Sequence, residues 1–200
     1  TSRIIRPLVP CMSIEKIRPS IGTAILLDLR KGDLPVPPTT AYLMYGEGCS
    51  NNCGFCTQAR SASCSSDRLS RVTWPVFPLE DVLRHLEKAR DLGLERICIQ
   101  CLNHPGVREE LPSLVREIGK RTSGLPISVS ISTDDLSTLS SLKEAGAERA
   151  GIAVDIADPD LYERIKGREA GNPYGWNDIW KAVRNAAHVF GPGNVSTHLI

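Results

Sequence analysis

The sequence lacks a strong excess of charge of either sign. Lys and Arg number 24 against 23 Asp and Glu, which leaves a formal net charge of +1. Proteins that bind nucleic acid or anionic lipid usually carry a clustered excess of Lys and Arg. The charge balance therefore argues against both partners and favours a small-molecule ligand.

Long apolar runs are also missing. No stretch approaches the roughly 18 residues that a membrane-spanning helix needs, and the N-terminal residues TSRIIRPLVPCMS lack the apolar core of a signal peptide. The sequence has no internal repeat and no low-complexity tract. We therefore expect a cytosolic protein, and its 200 residues are enough for one domain with a sizeable core.

Cysteine, by contrast, is abundant, with seven residues in the chain. The odd number argues against complete disulfide pairing, and in a reducing compartment such cysteines usually serve metal or redox chemistry. Cys49, Cys53 and Cys56 lie in the run EGCSNNCGFCTQAR, directly after a strand-like segment. A [4Fe–4S] cluster normally has four cysteine ligands, so three of them would leave one iron open to chemistry.

Other interpretations of this triplet are weaker. A thioredoxin-like pair in CGFC would leave Cys49 without a role and should open a helix. A zinc site would need a fourth Cys or His at regular spacing, and only Cys98 and Cys101 are spaced like a second pair. Haem attachment requires histidine where Thr57 follows the last cysteine. Zinc is the main alternative.

From Thr39 onward, short apolar runs alternate with amphipathic helical patterns. The predicted strands are Thr40–Tyr45, Ile97–Leu102, Ile127–Ile131, Gly151–Ile156 and Val195–Ile200, which are apolar enough to be covered on both faces. The predicted helices are Leu79–Ala89, Leu111–Lys120 with Pro112 in its first turn, Leu136–Ala145 and Trp176–Phe190.

This order of strands and helices predicts parallel strands joined by crossover helices. A doubly wound sheet and a (β/α) barrel both fit, and both bind ligands at the C-terminal ends of the strands, where the cysteine triplet lies.

Residues 1–38 are less regular, with six prolines around one predicted helix, Ile21–Arg30. We expect them to form an N-terminal extension that packs on the domain formed by residues 39–200. The final residues look like a strand without the turn that should follow it. We therefore expect the protein to continue beyond residue 200.

The spacing of the triplet, with the aromatic Phe55 before the last cysteine and a strand before the first, resembles the signature of the radical S-adenosylmethionine enzymes. The resemblance implies a partial (β/α)6 TIM-type barrel and a [4Fe–4S] cluster whose open iron binds S-adenosylmethionine. It also implies reductive cleavage of that cofactor to a 5′-deoxyadenosyl radical, which abstracts hydrogen from a substrate.

A closer resemblance covers most of residues 40–200. The runs CTQAR, RICIQC and AVDIADPDLYERI are similar to biotin synthase and its relatives. In biotin synthase, three cysteines and an arginine hold an auxiliary cluster deep in the barrel. Cys98 matches the first of these cysteines, but Ser128 and Ser196 align with the others, and a hydroxyl replaces a soft thiolate poorly. The difference points to a sister activity, such as two-component lipoyl synthases or the diiron-cofactor and methylornithine radical enzymes.

The remaining thiols leave alternatives open. A different auxiliary cluster that donates sulfur could be ligated by Cys98 and Cys101, with Cys11 and Cys64. Cys98 and Cys101 could equally be buried core residues. Because residues three apart on a strand face opposite sides, joint ligation requires the strand to end near Leu102. Cys11 is interpreted as incidental, and Cys64 is a candidate because it lies near the triplet in SASCSSD.

Asp155 aligns with the biotin synthase position that hydrogen-bonds the ribose of S-adenosylmethionine. A carboxylate can accept from two adjacent hydroxyls, which suits this role. The alternative is a helix N-cap, but Asp158 suits the cap better because Pro159 would occupy the first helical position.

The resemblance also implies a partner for the methionine carboxylate. Arg168 in IKGREAGN is the first candidate, since guanidinium binds carboxylate bidentately, and Lys166 is the second; Arg168 could equally be a solvated surface charge. Phe55 is expected beside the adenine. His104 and His198 are interpreted as structural residues.

Three hypotheses follow for the reaction. The first is sulfur insertion in cofactor biosynthesis, with a lipoyl type ahead of a biotin type. The second is a carbon-skeleton rearrangement or methylation without an auxiliary cluster, and the third is a non-enzymatic zinc or iron–sulfur module. The resemblance implies a small-molecule substrate or a lipoyl/octanoyl-type carrier, an external electron donor and, for a two-component enzyme, a partner subunit.

Overall fold

The computed structural model describes residues 14–199, and these residues form strands and helices in alternation. The strands are β1 Lys16–Pro19, β2 Thr40–Tyr45, β3 Arg68–Leu69, β4 Val72–Thr73, β5 Phe77–Pro78, β6 Arg96–Cys101, β7 Ile127–Ser130, β8 Ala147–Gly151 and β9 Val195–Ser196. The α-helices are α1 Ile21–Leu26, α2 Leu79–Leu86, α3 Val107–Arg121, α4 Leu136–Glu144, α5 Pro159–Ile165 and α6 Trp176–Phe190.

The sheet order decides between the two architectures that the sequence left open. Seven strands pair in the order β5-β1-β2-β6-β7-β8-β9. From β2 to β9 the strands are parallel and follow one another in space as they do in the chain. A doubly wound sheet would reverse this order at a switch point, whereas a barrel continues it in one direction. The predicted partial barrel with an N-terminal extension is therefore confirmed.

The helices cover only the outer face of the sheet. In β6, Ile97 and Ile99 are buried in the main core, while Cys98 and Gln100 are half-buried on the other face. Helix α2 places Val82 and its neighbours against that core, and the outer face of each strand does the same. The expectation that the strands are apolar on both faces is wrong for β6 and β7, whose inner faces carry Cys98, Gln100, Ser128 and Ser130, whereas Met44 of β2 is buried in a second apolar cluster with Trp74 and Leu102.

The fourth predicted strand, Gly151–Ile156, is displaced. Strand β8 runs over Ala147–Gly151, where the exposed pair Glu148 and Arg149 separates buried Ala147 from buried Ala150. The apolar residues that suggested a later strand are buried beyond its end, where the backbone N–H of Ile152 donates to the carbonyl of Ser196 at 2.9 Å and an isolated bridge joins Asp155 to Leu199. Small alanines that pack on helices carry a weaker strand signal than the branched residues that follow them.

Helix α3 begins a turn earlier than predicted, at Val107 instead of Leu111. Pro112 therefore lies inside the helix and not in its first turn. Glu109 and Glu110 occupy the actual first turn, where carboxylates interact favourably with the helix dipole.

The other predicted elements agree more closely with the structure. Strand β2 and helix α6 have the predicted bounds, and α4 ends one residue early, before Gly146. Asp158 caps α5 as predicted, because its side chain accepts from the backbone N–H of Leu161 and Pro159 is the first helical residue. Helix α1 ends at Leu26, and β9 is shorter than expected, with Ile200 outside the described residues.

The described part of the N-terminal extension adds strand β1 to the barrel edge. Strand β1 pairs antiparallel with β2, and the short strand β5 pairs antiparallel with β1. Residues 1–13, and with them Cys11, lie outside the described part. Within residues 14–199, no helix has both the length and the apolarity that crossing a bilayer requires.

Candidate active site

The three cysteines of the triplet lie in the loop that follows β2, at the C-terminal end of the barrel strands. Cys49, Cys53 and Cys56 are free thiols with half-buried side chains. Gly46 starts this loop with a φ of 110°, and a Cβ there would approach the His104 side chain to 2.8 Å. Glycine is therefore needed for the chain to turn from the strand into the loop.

The spacer between the first two cysteines anchors the loop to the segment after β6. The buried Asn51 accepts through Oδ1 from Nδ2 of Asn103 at 2.8 Å. The backbone N–H of Ser50 donates to the carbonyl of Asn103 at 2.6 Å. These two contacts fix the position of Cys49 relative to the neighbouring strand.

Asn172, which is 5% exposed, joins the loop to the segment after α5. Its Oδ1 accepts from the backbone N–H of Asn52. Its Nδ2 donates to the carbonyl of Lys166 at 2.8 Å and to Sγ of Cys53 at 3.6 Å. The backbone N–H of Gly54 adds a contact of 2.8 Å to the carbonyl at the end of α5. A single amide thus holds both a cysteine and the backbone beside it.

Arg18 and Gln58 hold the two ends of the same loop. The guanidinium of Arg18 is buried and donates to the carbonyls of Gly46 and Ser66, the latter at 2.7 Å. The buried amide of Gln58 donates to the carbonyls of Ser66 at 2.8 Å and Arg68 at 2.5 Å. Strand β1 therefore takes part in building the cysteine loop.

Burial and neighbouring charges raise the pKa of two of the three thiols. Burial raises the pKa of Cys53 to about 11, with the neighbouring Cys56, Cys49 and Asp155 adding to the rise and Lys166 opposing it. Burial also raises the pKa of Cys56, against the backbone N–H of Gln58 that donates to its Sγ at 3.4 Å. Metal binding to such thiols must therefore release protons.

This donor set fits an iron–sulfur cluster better than a single metal ion. N–H groups donate to Sγ of Cys53 and of Cys56, and hydrogen bonds to the sulfurs are one way in which proteins tune iron–sulfur clusters. Across residues 14–199, no three Cys, His, Asp or Glu side chains are arranged to hold one metal ion. In a cluster each thiolate binds a different iron, so the sulfurs do not have to converge on one point.

Asp155 lies beyond the end of β8 in a left-handed conformation, with a φ of 65°. Its carboxylate is buried and pairs with Nζ of the buried Lys166 and, at 2.8 Å, with Nε2 of His198. Burial alone would raise the pKa of Asp155, but the hydrogen bonds from His198 and Lys166 and the charge of Lys166 outweigh it and lower the pKa. The hydrogen bond to Asp155 raises the pKa of His198.

Arg168 and Lys166, the two candidates for the methionine carboxylate, lie in different surroundings. The guanidinium of Arg168 is 65% exposed and pairs with Asp178 at 2.6 Å. Lys166 lies beside Asp155 and also donates to the carbonyl of Ala153 at 2.6 Å. Phe55 is 44% exposed in the cysteine loop. The cofactor contacts of these residues stay predictions.

Cys98 and Cys101 are not brought together. Cys98 faces the barrel lumen, a cavity of about 320 Å³ that Ser128, Ser196 and His198 also line. Cys101 packs against the main core on the opposite face of β6, where burial raises the pKa of its thiol. Strand β6 does end at Cys101, next to Leu102, as joint ligation would require, but the two thiols still lie on opposite faces of the strand.

Cys64, a candidate ligand, and His104, expected to be structural, also have defined positions. Cys64 is exposed and donates to the carbonyl of Thr57 at 3.4 Å, within the cysteine loop. His104 packs edge-on against Tyr45 with ring centroids 5.0 Å apart. Its Nε2 is buried and has no hydrogen-bond partner in the described part of the chain.

The sequence did not predict the roles of Asn172 and Arg18 or the pairing of His198 with Asp155. The two asparagines between the cysteines were a usable signal, since asparagine often satisfies backbone groups in turns. Asn172 lies 119 residues from its cysteine partner and gave no local signal.

The chain is similar to known proteins over most of its length. The model of the family described as the Radical SAM superfamily matches residues 43–200. Biotin synthase of Azoarcus sp. (strain BH72) is 30% identical over 121 residues, which are 59% of this chain and 35% of that protein. GTP 3′,8-cyclase of Desulforamulus reducens (strain ATCC BAA-1160 / DSM 100696 / MI-1) is 27% identical over 114 residues, which are 56% of this chain and 33% of that protein. The chain thus spans about a third of the length of these relatives.

A solved structure shares the architecture. The crystal structure of methylornithine synthase (PylB) superposes with a TM-score of 0.61 at 20% identity, over 79% of this chain and 43% of that one. At this identity the likeness shows the fold alone.

The contacts of Asn172 predict a coupled loss of stability and iron. Asn172→Ala should lower the free energy of unfolding of the iron-free protein by about 1–3 kcal/mol, because it leaves a buried N–H and a buried carbonyl without partners. It should also lower the iron retained after reconstitution and desalting. Asn185→Ala, which removes an amide that donates to the carbonyl of Asp134 at 2.7 Å, is the control and should leave iron retention unchanged. Equal iron retention in both variants would contradict the role of Asn172.

The raised pKa of His198 predicts a pH dependence of stability. The protonated imidazole stabilises the fold through Asp155. This contribution is fully present below the unfolded histidine pKa of about 6.5 and is lost as the pH rises through the raised folded value. Urea unfolding at about pH 6 and about pH 8.5 should show a larger stability difference in the parent protein than in His198→Gln. His188→Gln, at an exposed position on α6, should keep the parental difference, and a His198→Gln profile equal to it would refute the coupling.

Proposed function

This chain belongs to the radical S-adenosylmethionine (radical SAM) superfamily, and from that premise we propose that Cys49, Cys53 and Cys56 ligate a [4Fe–4S] cluster used with S-adenosylmethionine. The observation that carries the proposal is the cysteine loop itself. It places three free, half-buried thiols at the strand ends, and N–H groups donate to two of the sulfurs. When bound, the cluster and S-adenosylmethionine supply the reductive carbon–sulfur cleavage and the 5′-deoxyadenosyl radical that abstracts a substrate hydrogen.

The residues around the loop have separate roles in this proposal. Asn172 and Gln58 orient and hydrogen-bond the ligand sulfurs, through a side-chain amide and a backbone N–H. Asp155 accepts from the ribose hydroxyls, because a carboxylate has about four acceptor sites and Lys166 and His198 occupy only some of them. Lys166 keeps that carboxylate ionised.

Phe55 covers the adenine side of the site in the same proposal. For the methionine carboxylate, Lys166 is now the better-placed cation, because it is buried beside Asp155, whereas Arg168 is exposed and paired with Asp178. The mechanism also needs an external electron donor. We propose that the protein works in the cytosol on a small-molecule substrate and makes no use of nucleic acid.

For the chemistry after hydrogen abstraction, the lumen favours a rearrangement or methylation without inserted sulfur. Among the described residues that line the lumen, Cys98 is the only thiol. The positions that the resemblance assigns to two further ligands are Ser128 and Ser196, and hydroxyls bind iron poorly at a thiolate-type site. The substrate radical would then react within its own carbon skeleton or with a second small molecule.

Sulfur insertion of the biotin or lipoyl synthase type is the second candidate. Two observations favour it: the similarity to biotin synthase, and the position of Cys98 inside the lumen beside Ser128. This reaction requires an auxiliary iron–sulfur cluster, and a lipoyl type would act on an octanoyl-type carrier with a partner subunit.

Iron quantitation separates the two candidates. Reconstituted protein should hold about four irons per chain if the triplet cluster is the only one. Cys98→Ala should then retain the parental iron content. Clearly more than four irons, lost in Cys98→Ala, would support sulfur insertion and contradict the first candidate.

The proposal predicts a loss of cofactor cleavage when one triplet ligand is removed. Cys53→Ala should lose the brown chromophore and should form no 5′-deoxyadenosine with reductant and S-adenosylmethionine, as measured by chromatography. Cys64→Ala is the matched control, because Cys64 is an exposed thiol of the same loop outside the triplet, and it should keep both properties. Cleavage retained in Cys53→Ala would refute the assignment, and no cleavage by the parent protein would favour a non-enzymatic module.

A further inference from the structure

The lumen has the chemistry of a selective anion site. We propose that it binds a small polar substrate that carries a carboxylate or phosphate group, held by Arg96 and Arg149, and that it does not accept an octanoyl-type chain. The proposal rests on the proposed function for its catalytic meaning and on the lumen alone for its ligand class.

The strand register places two layers of polar side chains in the lumen. Cys98 lies opposite Ser128, and Ser128 lies opposite Arg149. The second layer lies nearer the cysteine loop, and its residues on neighbouring strands are Gln100, Ser130, Gly151 and Ser196. These side chains are small or hydrogen-bonding, whereas bulky branched residues normally fill a barrel interior.

Small side chains keep the lumen open. A Cβ at Gly151 would lie 3.4 Å from Oγ of Ser130 and 3.6 Å from Oγ of Ser196, so any larger residue there would fill the upper layer. The cavity of about 320 Å³ is at the lower end of the range for small-molecule pockets. The lumen therefore suits a compact molecule.

The charge of the lumen is positive. Arg96 and Arg149 line it, and no Asp or Glu is among the described lining residues. Both guanidiniums share Glu148, at 3.0 Å from Nη2 of Arg96 and 3.2 Å from Nε of Arg149, so one carboxylate orients two cations. Arg96 also donates to Oγ of Ser128 at 2.9 Å. One carboxylate against two guanidiniums leaves a net positive charge for an anionic ligand.

His198 lines the upper end of the same cavity, where it is paired with Asp155. A substrate held by its anionic group at Arg149 would extend past Cys98 and Gln100 toward His198 and the cysteine loop. An aliphatic chain in this space would displace water from hydroxyl, amide and guanidinium groups without offering them hydrogen bonds in return, which is unfavourable. The lining thus discriminates against octanoyl-type substrates.

The thiol of Cys98 provides a direct probe of the lumen. Reconstituted holoenzyme would be alkylated without oxygen by iodoacetate, an anion, or by iodoacetamide, its neutral analogue, and the rate at each cysteine would be followed by peptide mass spectrometry. Because both reagents attack the same thiolate, their rate ratio at one cysteine reports the local charge. The exposed Cys64 is the internal reference.

We expect the iodoacetate-to-iodoacetamide rate ratio to be about threefold or more higher at Cys98 than at Cys64, because a positively lined cleft concentrates anions. Arg149→Gln should remove most of this excess, and Arg149→Lys should retain it. Inorganic phosphate should slow iodoacetate at Cys98 selectively. The control is Arg90→Gln, which removes an exposed arginine that donates to the carbonyl of Ser123 and should leave the rate ratio at Cys98 unchanged.

Equal ratios at both thiols, or an unchanged ratio in Arg149→Gln, would overturn the proposal. Protection of Cys98 from both reagents would overturn it too, because the lumen would then be closed or filled by an auxiliary cluster. The alkylation needs no turnover, whereas 5′-deoxyadenosine formation in the same preparation reports the proposed function. The two failures are therefore distinguishable.

Discussion

The cysteine loop has no regular secondary structure between β2 and β3, so its buried backbone groups cannot pair within a helix or sheet. Buried polar groups without partners are costly, and the rest of the chain has to supply those partners. Asn172 comes from beyond α5, Asn103 from beyond β6 and Arg18 from β1. Three separate parts of the barrel thereby determine where the three thiols lie.

The second constraint is a buried ion pair in the same region. Lys166 and Asp155 are both nearly inaccessible to solvent, and His198 gives the carboxylate a further partner. A buried carboxylate without a cation would be expensive. The pair ties the segment after α5 to the segments after β8 and β9, and Lys166 is also the cation that acts on Cys53. The charges that act on Cys53 therefore belong to the same residues that join these three segments at the end of the barrel.

The sequence predicted those features that local patterns encode. The cysteine spacing, the bounds of β2 and α6, and the capping of α5 by Asp158 each depend on residues within one turn or one strand. Strand β8 was misplaced because small alanines form its buried face. The preference for Arg168 over Lys166 relied on guanidinium chemistry, and only the tertiary structure shows that Arg168 pairs with Asp178 in solvent. Asn172 could not be found from sequence, because its role depends on a contact across 119 residues.

Strand β1 contributes Arg18 to the cysteine loop, and it also covers an edge of the sheet. An open barrel exposes the edge of its first strand, and unpaired edges invite pairing with other chains. Strand β1 covers that edge of β2, and β5 in turn covers β1 with only two residues, of which the second is Pro78. Proline has no N–H to offer a further strand. Strand β1 and Pro78 therefore leave little unpaired edge for another chain to pair with on the side where the cysteine loop is anchored.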